Sequence, residues 1–251
     1  DLRKTGITLP IMVMNPEVMN FEMMMKYRLE PEIYNFRQLN QLSEVLKKHV
    51  GEPFKIHLKL DTGMHRLGFE EREINELVVR LNNNKHLHIQ SIFSHLAGSD
   101  EAEHDGFTKL QVDRFKKMSD DIMKNFNYPI MRHILNSSGI LRFSEAQYEM
   151  VRLGIGMYGF AATPNEQNHL QQAATLKTTI SQIKNVASNE TIGYSRKGKL
   201  KRDTIIAIVA IGYADGINRR LSNGVGKMLV NGKLAPIVGN VCMDMCMLDI
   251  T

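Results

Sequence analysis

The stretch KIHLKLDTGMHRLGF, residues 55–69, predicts a buried strand that ends in a tight turn. Polar and apolar residues alternate from His57 to Asp61, which is the period of a strand, and Thr62-Gly63 then marks a turn. Asp-Thr-Gly also occurs in aspartic proteases, but those enzymes need two such loops, or a small all-β subunit that pairs with a copy of itself. This chain has one, and α/β sequence surrounds it. The tripeptide therefore indicates a loop at the end of a strand.

Similar strand patterns alternate with helical patterns along the first two thirds of the chain. Short apolar runs predict six strands, at residues 10–14, 32–36, 55–61, 89–96, 131–136 and 150–159. Apolar residues at helical spacing predict helices at residues 18–28, 36–50 and 107–126. This alternation predicts a parallel sheet. We expect an α/β fold, a partial TIM-type βα barrel with about six of the eight strands that a closed barrel needs.

The pattern changes after Thr175. Runs rich in Ile, Val and Thr follow, at residues 176–186, 204–216, 227–238 and 246–250, and they predict strands with little room for helices. Asn231-Gly232 between two of these runs is a strong signal for a hairpin. The polar stretch 160–175 is expected to be a linker. We therefore predict a barrel portion at residues 1–175 and a mostly β C-terminal domain, truncated within a strand, at residues 176–251.

Composition narrows the classes of function. The net charge is +5, but the dense basic run 196–202 has no interleaved aromatic residues, so it indicates a solvated loop rather than a nucleic-acid site. A nucleic-acid binder would be retained on DNA in a salt-dependent way. No apolar run approaches the roughly 18 residues of a membrane span. Cys242 and Cys246 lack a second pair of ligands, so neither a disulfide framework nor a metal site is expected. A cytoplasmic protein is the default expectation.

Polar residues follow the predicted strands at the point where each strand ends. They are Asp61-Thr62-Gly63 with Arg66, then His95, then Asn136-Ser137-Ser138-Gly139, and then Arg152 with Gly154. The carboxyl ends of parallel strands share one rim, which is where barrel enzymes carry their active sites. The NSSG segment opens a helix, so its side chains are explained either as helix caps or as a phosphate site. Four polar strand ends together favour a functional site.

Seven segments resemble, in the same order, segments of the pyridoxal-phosphate-dependent alanine racemases. They are HLKLDTGMHRLGF, SHLAGSDE, HILNSSGILRF, MVRLGIGMYGF, TIGYSRKG, IGYADGINRRL and APIVGNVCMDMCMLDIT. The resemblance implies a βα barrel followed by a β domain, a head-to-tail homodimer that shares its active sites, and a small amino-acid substrate. It also implies racemisation of L- and D-alanine by two bases on a cofactor aldimine, which supplies D-alanine for peptidoglycan.

The resemblance assigns roles to five residues that act on the substrate or the cofactor ring. Tyr194 is similar to the tyrosine that serves as the base for one face of the substrate's α-carbon. Arg152 resembles the arginine that hydrogen-bonds the pyridine nitrogen, and His95 the histidine that buttresses it. Arg66 is similar to the arginine that contacts the phenolic oxygen and the substrate carboxylate. Lys59 resembles a lysine, carbamylated in some members, that orients this arginine.

Further roles implied by the resemblance concern the phosphate and the partner subunit. Asn136 and Ser137, with the backbone at Gly154 and Ile155, match the phosphate cradle. Residues that match those reaching the site from the partner subunit are Tyr213, Met243 and Asp244.

The sequence departs from the family at both ends. The lysine that holds the cofactor as a Schiff base and serves as the other base has no matching segment here, and the end of the β domain is absent. We therefore expect this stretch to be inactive alone and to belong to a longer polypeptide. Alternatives are another barrel enzyme, such as an amino-acid decarboxylase or a serine racemase, or a cofactor-binding module without catalysis. The IGYSR tyrosine argues against a decarboxylase, which lacks it.

Overall fold

The computed structural model describes residues 1–48 and 51–251. The chain folds into two units, Asp1–Ala174 and Thr175–Thr251. The first unit contains a parallel sheet of five strands in the order β1-β2-β3-β4-β5. These strands are Met12–Val13, Glu30–Ile33, Phe54–Lys59, Leu87–Phe93 and Met131–His133. Its helices α1 to α6 are Phe21–Lys26, Phe36–Leu46, Ile74–Asn82, Asp105–Met123, Ser137–Arg142 and Pro164–Gln167.

Helix α2 illustrates how the predicted helices form. Leu39, Leu42 and Leu46 lie on one face at helical spacing, and all three are buried. The side chain of Asn35 caps the helix by accepting a hydrogen bond of 2.9 Å from the backbone nitrogen of Gln38. The helix ends at Leu46. The predicted end of this helix, at residues 49 and 50, lies outside the described residues.

The strands of the first unit separate apolar and polar side chains onto opposite faces. Ile56 and Leu58 of β3 pack into the main apolar core with residues of the helices. His57 and Lys59, which alternate with them, are equally buried but lie on the other face. A bulge adds one residue to β4, because Ile56 pairs with Ile89 whereas the next residue, His57, pairs with Ser91. The bulge brings Ser91 onto the same face of the sheet as His57. The sheet therefore has an apolar face toward the helices and a polar inner face.

The predicted sixth strand at residues 150–159 is wrong. Within the described chain, this segment contains no strand and instead forms a short 3-10 helix at Ile155–Tyr158. Only two backbone hydrogen bonds extend the sheet here, from Met150 to Arg132 and from Arg152 to Leu135. Gly159 then takes a left-handed conformation with φ +82°, which a strand does not allow. The backbone consequently leaves the sheet immediately after Arg152.

The second unit is built from antiparallel strands. Its strands β6 to β12 are Ile180–Val186, Thr191–Ile192, Gly198–Lys199, Thr204–Val209, Lys227–Val230, Lys233–Pro236 and Cys246–Asp249. They form a sheet in the order β12-β9-β6 and the pairs β7–β8 and β10–β11. The predicted hairpin is confirmed: Asn231 and Gly232, with φ +47° and +80°, join β10 to β11. Among the described residues, no helix has the length and apolar character needed to cross a membrane.

The loop after β3 closes on itself through backbone contacts. The backbone nitrogen of Asp61 donates to Phe69 and that of Phe69 donates to Lys59, both at 2.9 Å. Gly68 stands at the point of closest approach with φ +137°. A Cβ atom on Gly68 would overlap the nitrogen of Asp61 and lie 2.6 Å from the carbonyl carbon of Leu60. Only glycine fits this position.

We predict that Gly68→Ala lowers the free energy of unfolding by about 3 kcal/mol or more, because backbone strain and overlap act together. The matched control is Gly106→Ala in α4, where an added Cβ meets no atom within 4 Å. That change is expected to be neutral or stabilising by up to about 1 kcal/mol. Urea denaturation of the longest native polypeptide that contains these residues measures both changes. Equal effects of the two substitutions would contradict this account of the loop.

Candidate active site

Asp61 organises the loop at the carboxyl end of β3. One of its oxygens, Oδ1, accepts hydrogen bonds from the backbone nitrogens of Gly63 at 2.9 Å and His65 at 3.1 Å. Thr62 Oγ1 lies 2.8 Å from Ser94 Oγ, and the Ser94 hydroxyl donates to the carbonyl of Leu60 at 2.8 Å. These bonds tie the loop to the neighbouring strand. Asp61 therefore anchors the turn, and the tripeptide forms the loop at the end of a strand that the sequence predicts.

Arg152 lies where the chain leaves the sheet, and its guanidinium is held by the ends of β4 and β5. Nη1 donates to His133 Nδ1 at 2.7 Å and to the His133 carbonyl at 3.2 Å. Nη2 donates to the Ser94 carbonyl at 2.6 Å and lies 3.2 Å from His95 Nδ1. A guanidinium has no acceptor, so both imidazoles accept at Nδ1. The structure brings the predicted residues His95 and Arg152 together and adds His133, which the sequence analysis did not name.

The electrostatics of this cluster keep both imidazoles uncharged. Burial, followed by the charges of Arg152, Arg66 and Lys59, lowers the pKa of His95 to about 4. Burial, followed by the charge of Arg152, lowers the pKa of His133 to about 3. Burial also lowers the pKa of Arg152 to about 10, which still leaves the guanidinium charged at neutral pH. A fixed cation and two neutral acceptors thus stand side by side at the edge of the sheet.

Lys59 is a second buried cation on the inner face of the sheet. Its Nζ lies 3.0 Å from Glu32 Oε1 and 5.5 Å from the centre of the Phe93 ring. The Arg152 guanidinium is 5.1 Å from the centre of the same ring. Glu32 also accepts a 2.5 Å hydrogen bond from the backbone nitrogen of Asn15. Lys59 is therefore paired with Glu32, while Arg66, the predicted partner of Lys59, is exposed at the loop and acts on His95 through its charge.

Two backbone nitrogens converge on the hydroxyl of Ser137. Gly154 N and Gly156 N donate to Ser137 Oγ at 3.0 and 3.1 Å. The structure thus brings Ser137 and Gly154 together and adds Gly156, whereas Ile155 is exposed at the start of the 3-10 helix. Asn136 caps α5, accepting from Gly139 N at 2.9 Å and from Ser99 Oγ at 2.8 Å. Convergent N–H groups with a hydroxyl are a donor set that suits a phosphate.

The second unit presents its predicted site residues on exposed loops. Tyr194 is 71% exposed and lies in a turn, where its backbone carbonyl accepts a hydrogen bond from Asn240 Nδ2 at 3.2 Å. Tyr213 is exposed beside Arg219, 5.5 Å from ring centre to guanidinium. The loops of Tyr213 and Met243 are joined, because Ala214 N donates to the Met243 carbonyl at 2.8 Å. Asp244 follows in the same exposed loop. Tyr213, Met243 and Asp244 therefore lie on two connected loops.

Comparison with known proteins identifies the family. Residues 1–162 match the model described as "Alanine racemase, N-terminal domain", and residues 173–251 match "Alanine racemase, C-terminal domain". The chain belongs to the alanine racemase family. The resemblance seen in the sequence is thereby confirmed, and so is the fold class, a TIM-like barrel portion followed by a β domain.

Individual alanine racemases align over nearly the whole chain. It is 38% identical to the alanine racemase of Clostridium tetani and 36% identical to alanine racemase 1 of Clostridium acetobutylicum, covering 100% of this chain and 66% of each relative. The crystal structure of alanine racemase from E. faecalis is similar with a TM-score of 0.84 and 31% identity, over 100% of this chain and 67% of that chain. A structure from Bartonella henselae with covalently bound pyridoxal phosphate has a TM-score of 0.82 and 25% identity, over 100% of this chain and 68% of that chain. The chain thus spans about two thirds of the length of the curated alanine racemases that it matches.

We predict that His133 stays uncharged as the pH falls from about 7 to about 5, because its pKa lies near 3 rather than at the ordinary 6.5. The unfolded chain takes up a proton at this histidine below about pH 6.5 and the folded chain does not. The free energy of unfolding therefore falls with decreasing pH, by up to about 1.4 kcal/mol per pH unit from this group. NMR titration of the His133 ring measures this directly, and a midpoint near 6.5 would contradict it.

Proposed function

We propose that the polypeptide to which this chain belongs is a pyridoxal-phosphate-dependent racemase that interconverts L- and D-alanine. One observation carries the proposal. The guanidinium of Arg152, held between His133 and His95, lies two residues before Gly154, whose N–H converges with that of Gly156 on Ser137. A cation at the sheet edge thus adjoins a set of phosphate-type donors, and the relatives with this arrangement of segments are alanine racemases.

These residues fit pyridoxal phosphate. The N–H groups of Gly154 and Gly156 and the Ser137 hydroxyl would bind its phosphate, and Arg152 would donate to its pyridine nitrogen. When bound, the cofactor supplies an electron sink for negative charge that develops at the substrate's α-carbon. Because Arg152 remains charged at neutral pH and has no acceptor, it would keep the pyridine nitrogen unprotonated. Arg66, exposed at the loop after β3, would bind the substrate carboxylate, with Lys59 as its proposed orienting residue.

Racemisation removes a proton from one face of the α-carbon and returns a proton on the other, so it needs two acid–base groups. We propose Tyr194 Oη as one of them; its side chain is exposed and accessible. The other would be a lysine that also anchors the cofactor, supplied by a longer polypeptide. Residues 1–175 would carry the cofactor site, and residues 176–251 would bring Tyr194, with Tyr213, Met243 and Asp244 reaching the site of a partner subunit in a homodimer. A cytoplasmic enzyme that supplies D-alanine for peptidoglycan fits this chemistry.

We predict that the longest native polypeptide, with added pyridoxal phosphate, converts L-alanine to D-alanine, and that Tyr194→Phe lowers the rate by about 10²- to 10⁴-fold, the range of general acid–base catalysis. Both directions must lose kcat/KM equally, because two enantiomers have equal free energy. Exchange of the α-proton with deuterated solvent, however, should survive for one enantiomer only. Tyr27→Phe, which removes a phenol hydroxyl beside Lys26, is the control.

The other outcomes of that assay identify the competing functions. Turnover of serine but not alanine would indicate a serine racemase, and release of carbon dioxide would indicate a decarboxylase. Bound cofactor without turnover of either amino acid would indicate a binding module. Any of these results would contradict the proposed alanine racemase.

We predict that a polypeptide limited to residues 1–251 racemises alanine no faster than free pyridoxal phosphate does, because no segment of it matches the cofactor-anchoring lysine. The measurement is the same chiral assay, made side by side with the longest native polypeptide at equal concentration. Robust turnover by residues 1–251 alone would show that a lysine within them performs both tasks, and the proposed division of labour would be wrong.

A further inference from the structure

A continuous chain of hydrogen bonds crosses the inner face of the parallel sheet and ends at Arg152. From Arg152 Nη1 it runs to His133 Nδ1 at 2.7 Å, from His133 Nε2 to Ser91 Oγ at 2.9 Å, from Ser91 Oγ to His57 Nδ1 at 2.6 Å, and from His57 Nε2 to Glu30 Oε2 at 3.0 Å. The four members after Arg152 come one each from β5, β4, β3 and β2. The chain thus links a cation at the carboxyl edge of the sheet to a carboxylate at the start of β2.

The chemistry of the donors fixes the direction of every bond in this chain. The guanidinium only donates, so the uncharged His133 accepts at Nδ1 and carries its proton on Nε2. That N–H donates to Ser91, whose hydroxyl then donates to His57 Nδ1. His57 therefore carries its proton on Nε2 and donates it to Glu30. Were His57 protonated on both nitrogens, the Ser91 hydroxyl would face two donors and have no acceptor within the chain.

The four members of this hydrogen-bond chain after Arg152 are buried. Ser91 and His133 are fully buried, and Glu30 and His57 keep only 8% and 4% of their surface exposed. Burial raises the pKa of Glu30, but the hydrogen bond from His57, the charge that His57 carries when protonated, and the charges of Lys55 and Arg3 outweigh it, so the pKa lies below its ordinary value. The carboxylate is therefore ionised. Buried polar groups of this kind are costly unless each is satisfied, and here each one has a partner.

We propose that Glu30, His57 and Ser91 are positioning residues for Arg152: through a one-directional chain of hydrogen bonds they hold His133 in the Nε2–H tautomer and thereby fix the guanidinium in the orientation that the site requires. None of the three is placed at the cofactor or the substrate. The effect on turnover rests on the proposed function, whereas the tautomers can be tested without it. Loss of the chain leaves His133 free to protonate Nδ1, which would repel the guanidinium.

The first test is made on the longest native polypeptide without substrate or cofactor. Nitrogen-15 NMR of the histidine rings distinguishes Nε2–H, Nδ1–H and doubly protonated imidazole. We expect single Nε2–H tautomers for His57 and His133 at neutral pH. In Ser91→Ala, a substitution small enough to keep the fold, His133 loses the acceptor of its Nε2–H and should become a mixture of tautomers, whereas Glu30 should keep His57 in the Nε2–H form. A doubly protonated His57 in the native protein, or an unchanged tautomer of His133 in Ser91→Ala, would overturn the proposal.

The second test is a double-mutant cycle on the enzyme loaded with pyridoxal phosphate. Glu30→Gln and Ser91→Ala are each expected to lower kcat by about tenfold to a hundredfold, the range found when a supporting hydrogen-bond partner is removed, and to change the absorbance of the bound cofactor. If the chain is continuous, Glu30→Gln should have little further effect once Ser91→Ala has broken it. Fully multiplicative effects would show that Glu30 and Ser91 act independently, and an unchanged absorbance would show that neither acts on the surroundings of the cofactor; either result would overturn the proposal.

Two controls separate the possible failures. Glu44→Gln makes the same substitution at an exposed helix position, where the carboxylate pairs with Lys47, and should change neither kcat nor absorbance. Thermal denaturation of each variant accounts for lost stability. If the native polypeptide does not racemise alanine, the proposed function fails, but the tautomers of His57 and His133 still decide whether the hydrogen-bond chain exists.

Discussion

The guanidinium of Arg152 can donate hydrogen bonds but cannot accept them, and this constraint orders the polar interior of the first unit. Every group that hydrogen-bonds to it must accept, so the Ser94 and His133 carbonyls and two imidazole Nδ1 atoms face it. The imidazoles can accept only while uncharged, and burial beside a cation keeps them so. Charge, tautomer and position are therefore set together. A change in one of these properties would leave a buried group without a partner.

Side chains alternate between the two faces of each strand, and this alternation allows a polar interior in a protein of ordinary amino-acid composition. Branched apolar residues usually fill the centre of a βα barrel. Here the inner face holds two carboxylates and two cations, Glu30 and Glu32 with Lys59 and Arg152, so the formal charges cancel. The outer face keeps the apolar residues that pack against the helices. The apolar residues that stabilise the fold and the polar residues of the site thus lie on opposite faces of the same strands. The bulge in β4 keeps each kind of residue on its own face across the sheet.

Local signals in the sequence predicted individual strands and turns better than they predicted which segments pair with one another in the fold. The alternation in β3 and the Asn231-Gly232 turn are short-range features, and both are present in the structure. The segment after Met150 was predicted as a strand because of its apolar residues, but a strand also needs hydrogen-bonded neighbours, and from the part of the chain that the structure describes two backbone hydrogen bonds reach it. Glu30 was missed for a related reason. Its Glu-Pro-Glu segment has low strand propensity, yet pairing with both flanking strands makes it strand β2.

The same distinction applies to the site. His95 and Arg152 were predicted from motifs, whereas Ser91 and His133 carry no local sequence signal. The position of Ser91 opposite His57 depends on a register that a bulge shifts by one residue. Tyr194 shows the opposite case. The flanking backbone at Gly193, Ser195 and Arg196 is left-handed, which is costly for the two residues that are not glycine. Such strain persists only where the surrounding structure fixes it, and here Asn240 holds the Tyr194 carbonyl and Thr191 the Arg196 side chain. A strained turn that keeps an aromatic hydroxyl exposed stabilises nothing by burial, so its maintenance supports a role for that hydroxyl in binding or proton transfer.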